Sequence, residues 1–124
     1  MTFAVDAIFD PDILPDVLGD SDPAVLINFY DIFLSFTAES WQELVSSAKS
    51  GNWQKVSTLA HSLKSSSRSI GALTLGTAMA ELEKTTEEGA AADDLLQRIS
   101  TIVDVTFERV RLHRVKIDTS SNFT

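Results

Sequence analysis

The stretch 61-HSLKSSSRSIGA-72 decides how this chain is read. It holds one histidine, a lysine three residues later, five serines and a closing Gly-Ala. Serine is a mediocre helix former that does better at caps and turns. Leu59, Leu63 and Ile70 nevertheless keep a helical rhythm straight through the run. The stretch is a helix, and its serines need a reason other than helix propensity.

A helical wheel supplies one. At about 100° per residue, Gln54, Ser57, Thr58, Lys64, Ser65 and Arg68 fall within about 60° of His61. Val56, Leu59, Leu63 and Ile70 fall on the other side. His61 therefore sits in a polar, solvent-facing stripe, with Lys64 and Arg68 one and two turns further on as cations for an anion on its ring. Ser66 and Ser67 lie toward the buried side, where small side chains let a neighbouring helix come close. Ser57 and Ser65 lie beside His61 and leave the imidazole open to something large. The plainer alternative is a solvated surface histidine on a neutral face, and the wheel alone does not separate the two.

Working outward, four long segments read as helices and none as a strand. The first begins at 20-DSDPAV-25, where Ser21 or Asp22 can cap and Pro23 fits the first turn. Leu26, Phe29, Tyr30, Phe33, Phe36, Ser40 and Leu44 then share a face, and Gly51 ends it. The second runs from about Asn52 to Ile70, and the third from Ala72 to Glu87 on a stripe of Leu75, Met79 and Leu82, closed by Gly89. The fourth runs from Ala91 to His113 with Leu95, Leu96, Ile99, Ile102, Val103, Phe107 and Val110 on one side. Ahead of them, 9-FDPDILPDVLGD-20 predicts a short helix across one end. Beyond His113 the periodicity fades, which predicts a flexible tail over 114–124. The expected fold is all-α: an antiparallel four-helix bundle with a short extra N-terminal helix, forming one domain over residues 1–113.

Bulk properties exclude several classes. The chain has 124 residues, 44% of them apolar, which suits one folded domain. It has no cysteine, so disulfides, thiolate metal sites and a cysteine nucleophile are out. Its N-terminus lacks a basic region and meets Asp6 early, unlike a secretion signal. The longest apolar run, 24-AVLINFYDIFLSF-36, is short and broken by Asp31, so no membrane span is expected and the cytoplasm is the expected location. A net charge of −8 argues against nucleic-acid binding. The charge is uneven, however: Glu43, Lys49, Lys55, Lys64 and Arg68 leave residues 41–72 mildly basic. The acidic stretch 10-DPDILPDVLGDSD-22 lacks calcium-loop spacing, and no glycine loop cradles a phosphate. His61 and His113 form no HxxxH pair, so no metal site is expected. A Ser-His-Asp triad finds no nucleophile elbow to sit on.

The segment 60-AHSLKSSSRSIGA-72 resembles the phosphoacceptor signature of histidine-containing phosphotransfer (HPt) domains, written H-x-L-K-G-S-S with Gly-Ala a few residues on. His61, Leu63, Lys64, Ser66, Ser67, Gly71 and Ala72 match in type and spacing. Similarity extends through 53-WQKVSTLAH-61 and 79-MAELEK-84, and in pattern over about residues 8–113. One departure is Ser65, where the family most often has glycine.

The resemblance implies a phosphorelay intermediate. It makes His61 the phosphoacceptor at Nε2, passing a phosphoryl group between aspartates of response-regulator receiver domains. Lys64 would stabilise phosphoryl charge, and Ser57, Thr58, Ser65 and Arg68 would form the rim that meets the partner. The implied partners are receiver domains and a hybrid sensor histidine kinase, with this chain a monomer. No cofactor is expected on this chain; Mg²⁺ belongs to the receiver. Without an ATP site it would have no kinase activity of its own. Two other readings stay open: a non-catalytic helical adaptor that binds receivers or kinases without carrying phosphate, and a bundle that binds a metal or small ligand through its acidic surface.

Overall fold

A computed structural model describes residues 8–87 and 93–122 of the chain. Among them are five helices and no strand: α1 (Ile13–Leu18), α2 (Pro23–Lys49), α3 (Trp53–Ile70), α4 (Leu73–Glu87) and α5 (Asp93–Asn122). Among the described residues no helix is long and apolar enough to cross a membrane.

Local signals set the helix starts. The Asp22 carboxylate accepts from the Ala24 amide at 3.1 Å, and Pro23 takes the first helical position. At α3 the Asn52 side chain accepts from the Lys55 amide at 3.2 Å. Helix α3 packs on α2 and α4, and α5 closes the bundle against α2 and α4. The core draws on each of the four stripes read in the sequence, with Tyr30, Leu44, Val56, Leu63, Leu75, Met79, Leu82, Ile99 and Val110 fully buried, and adds Phe9 and Leu14 from the N-terminal segment. Ser67, Ala60 and Ala72 are fully buried as well, and Gly76 of α4 lies against Lys64 and Arg68 of α3. Ser66, the other serine read toward the buried side, is half-buried.

The Gly-Ala of the central motif has a structural duty. Gly71 ends α3 at φ 98°, in the left-handed region. The segment ahead of α1 lies directly on it, with the Asp10 amide donating to the Gly71 carbonyl at 2.9 Å. A Cβ at Gly71 would run into the Asp10 carbonyl oxygen. Ala72, fully buried, then donates its amide to the Ser67 carbonyl and starts the turn into α4.

Two expectations are corrected. Helix α5 does not stop near His113; it continues to Asn122. Arg114 forms a two-pronged ion pair with Asp31 of α2, at 2.6 and 3.0 Å, and Ile117 packs on the core. A single inward isoleucine and one charge pair are too sparse to register as periodicity, yet they hold the extra turns. In α2, Phe29 and Phe36 do not reach the core and are 39% and 40% exposed, and Ile32 beside them is 55% exposed. The apolar stripe of α2 is wider than the seam it fills. Gly89 and Ala91, which bounded two predicted helices, lie outside the described residues.

Candidate functional site

Helices α3 and α4 form a tight hairpin about Gly71–Ala72, so residues equally far from Ala72 face each other. His61 stands eleven residues before Ala72 and Glu83 eleven after it. Their side chains meet: His61 Nδ1 lies 2.9 Å from Glu83 Oε2. The second carboxylate oxygen, Oε1, accepts from Lys64 Nζ at 2.8 Å. One carboxylate thus bridges the histidine and the lysine of the motif.

Exposure divides the three. The His61 side chain is 62% exposed, while those of Lys64 and Glu83 are each 20% exposed. The ring stands in solvent and its two supports are tucked into the α3–α4 groove. The Lys64 hydrogen bond and then the His61 bond hold the Glu83 carboxyl below its usual range, against a partial desolvation that pushes the other way. Glu83 is therefore an anion at neutral pH and can only accept. Nδ1 therefore carries the hydrogen and donates, and in the neutral tautomer of that ring the lone pair lies on Nε2.

The rim residues sit where the wheel placed them, though none bonds to the ring. Ser57 is half-buried, and Thr58, Ser65 and Arg68 are exposed. Thr58 turns its hydroxyl to the Gln54 carbonyl. Arg68 does not rise toward His61; its stem lies across Gly76 of α4, where an added Cβ would stand 2.9 Å from its Cγ. Lys55 bonds Glu43 at 2.6 Å, which marks the register of α2 on α3 and places Phe36 at about the level of His61. Glu83 is the site residue that the sequence reading missed, although counting across the hairpin would have found it.

One groove lies between Trp41 and Gln97 and another between Leu73 and Ile102. Neither is lined by His61. The His61 side chain stands on an exposed face of α3. The fold and the site together define a helical bundle that offers one carboxylate-oriented imidazole to solvent.

Comparison with known proteins agrees. The Hpt domain family matches residues 28–110, two-thirds of the chain, and the chain belongs to that family. Its function is histidine phosphotransfer in a phosphorelay, where Hpt proteins interact with receiver domains and kinases. The fold is similar to the crystal structure of histidine-containing phosphotransfer protein B from Pseudomonas aeruginosa PAO1, with a TM-score of 0.75 and 23% identity over 88% of this chain and 96% of that one. No curated protein sequence matches.

Proposed function

We propose that His61 is the phosphoacceptor, taking the group at Nε2 from an aspartyl phosphate of a receiver domain and yielding it to an aspartate of another. The observation that carries this reading is the Glu83 bond to Nδ1, which leaves Nε2 as the exposed nucleophile of the site. In the forward step the Nε2 lone pair forms the N–P bond as the aspartyl O–P bond breaks, and the carboxylate leaves. The Nδ1 proton stays between the ring and Glu83, whose charge offsets the cation formed on the imidazole. The transition state is loose and spreads charge over the phosphoryl oxygens, so positioning and nearby cations supply most of the catalysis.

Lys64 is the nearest such cation, compact and held one turn from the ring by Glu83. It is placed to swing from the carboxylate to a phosphoryl oxygen. Ser57, Thr58 and Ser65 keep bulk off the ring, and Phe29, Ile32 and Phe36 offer an apolar flank for the receiver. Mg²⁺ and the remaining catalytic groups belong to the receiver, and the chain works as a monomer and carries no cofactor of its own. The test mixes phosphorylated receiver domains from the same genome with wild type and His61→Gln. Label that moves to the wild type alone, as an acid-labile and base-stable adduct, supports the carrier. Equal binding of both versions with no transfer favours the adaptor reading.

A further inference from the structure

Helix α4 carries a glycine where the Arg68 side chain of the neighbouring helix occupies the place of a Cβ. Gly76 is buried in the helix interior, although glycine is a poor helix former second only to proline. Its φ is unexceptional, so backbone freedom does not explain it. The space does. A Cβ there would stand 2.9 Å from Arg68 Cγ, 3.6 Å from Arg68 Nε and 3.6 Å from the Lys64 carbonyl oxygen. The absent side chain is the seat of the Arg68 stem.

That seat directs the arginine. Arg68 follows His61 by seven residues on the same face of α3, about 10 Å along the helix axis. Its stem runs sideways over α4, not upward along α3, so the phosphoryl group on His61 is not its target. The residue is exposed, and among the described residues no carboxylate lies within ion-pair distance of it, whereas Lys55, Lys64, Arg98 and Arg114 each have one. A planar guanidinium on a seated stem matches a carboxylate two-prongedly and loses less freedom on binding than one on a free stem.

We propose that Gly76 and Arg68 form a recognition device, in which the glycine seat aims Arg68 at a carboxylate on the rim of the docked receiver, two turns of α3 beyond the reacting ring. It rests on the reading of His61 as the group that the receiver engages. A chain of net charge −8 repels acidic partners over most of its surface, so a fixed cation beside the site decides which receivers can close on it. Arg68 is a partner-recognition residue, distinct from Lys64, which serves the phosphoryl group.

The test compares full-length wild type with Arg68→Ala, Arg68→Glu and Gly76→Ala. Phosphoramidate, a small donor that needs no docking, loads each protein first, and its loading rate is the reference for that variant. Transfer to receiver domains from the same genome is then followed against receiver concentration at low and high salt. For receivers that accept from wild type, the concentration giving half-maximal transfer should rise about tenfold in Arg68→Ala, more in Arg68→Glu, and lose much of its salt dependence. Gly76→Ala should raise it severalfold with the arginine still present, and add nothing in an Arg68→Ala background. Identical concentration curves for wild type and the Arg68 variants overturn the proposal. So does a loss that appears equally in phosphoramidate loading, which would put Arg68 on the phosphoryl group. If wild type takes no phosphoryl from any donor, the carrier reading fails separately. Titration of the same receivers by calorimetry then decides the device, and equal affinities of wild type and variants overturn it.

Discussion

Glu83 lies opposite His61 across the α3–α4 hairpin and accepts a hydrogen bond from its Nδ1 at 2.9 Å. The same carboxylate binds Lys64, so the tautomer of the ring and the position of the cation depend on one residue. Glu83→Ala should therefore slow phosphotransfer by on the order of ten- to a hundredfold, as when an orienting partner is removed from a metal-bound histidine. Glu83→Gln keeps an acceptor for Nδ1 and should lose less. Nitrogen NMR of the imidazole supplies a readout that a merely structural role would not move. The Nδ1–H form should dominate in wild type and give way in Glu83→Ala. An unchanged tautomer would remove Glu83 from the mechanism.

Lys64 acts on the same carboxylate from the other side. Lys64→Met should reduce the maximal transfer rate while receivers still bind, since the cation serves charge formed in the transition state. It should also let Glu83 titrate closer to its ordinary value of 4.5, because the Lys64 hydrogen bond is the first cause of its depression. A carboxyl whose folded pKa is lowered adds stability above its unfolded pKa, and loses it as pH falls through the lowered value. The acid limb of the wild-type stability curve should accordingly be steeper than that of Lys64→Met. Superimposable acid limbs would show that the pair contributes nothing.

Gly71 couples the end of α3 to the segment ahead of α1. Gly71→Ala meets both a φ of 98° and the Asp10 backbone, so the cost should exceed about 1 kcal/mol and reach the upper range for point substitutions. Urea unfolding measures it. A loss below that range would mean that the N-terminal segment does not rest on α3 in solution.

How much of this was legible in the sequence follows from what each residue depends on. The α3 face was readable because the helical period alone sets which residues share a side, and His61, Lys64 and Arg68 appear there. Glu83 was not, because a wheel describes one helix and the contact joins two. Phe36 read as core because hydrophobicity fixes a stripe's width, whereas the neighbours α3 and α5 fix how much of it is covered. The last turns of α5 were missed because Arg114 finds its partner eighty-three positions away.

That long-range pair makes its own prediction. Asp31 and Arg114 are partly exposed, so breaking them with Arg114→Ala should cost no more than about 1 kcal/mol of global stability. The local effect should be larger, because among the described residues this is the only ion pair in the turns after His113. Hydrogen exchange of the amides after Arg114 should accelerate strongly in the variant while the amides of α3 stay protected. Equal acceleration in both places would show that the pair supports the whole bundle and not its end.

The other histidine should govern stability near neutral pH. His113 packs its ring 5.3 Å from that of Phe9 and 5.6 Å from that of Tyr30, in a three-ring cluster under the N-terminal segment. Burial lowers its pKa below the ordinary 6.5, the charge of Lys116 pushes the same way, and Asp12 opposes them. Tyr30, facing it, is pushed up to about 12 by burial and stays neutral throughout this range. With the folded pKa lowered, the unfolded chain takes its proton first as the pH drops. Stability must fall as pH drops through 6.5, and the loss must level off below the folded value. His113→Phe keeps a ring in the cluster and removes the titration, so its unfolding free energy should vary less than that of wild type between about pH 7 and pH 5. His113→Gln should show the same flattening from a lower starting stability, which separates the proton from the packing. Parallel pH profiles for all three proteins would show that the ring titrates alike folded and unfolded, and that the cluster does not exclude the charge.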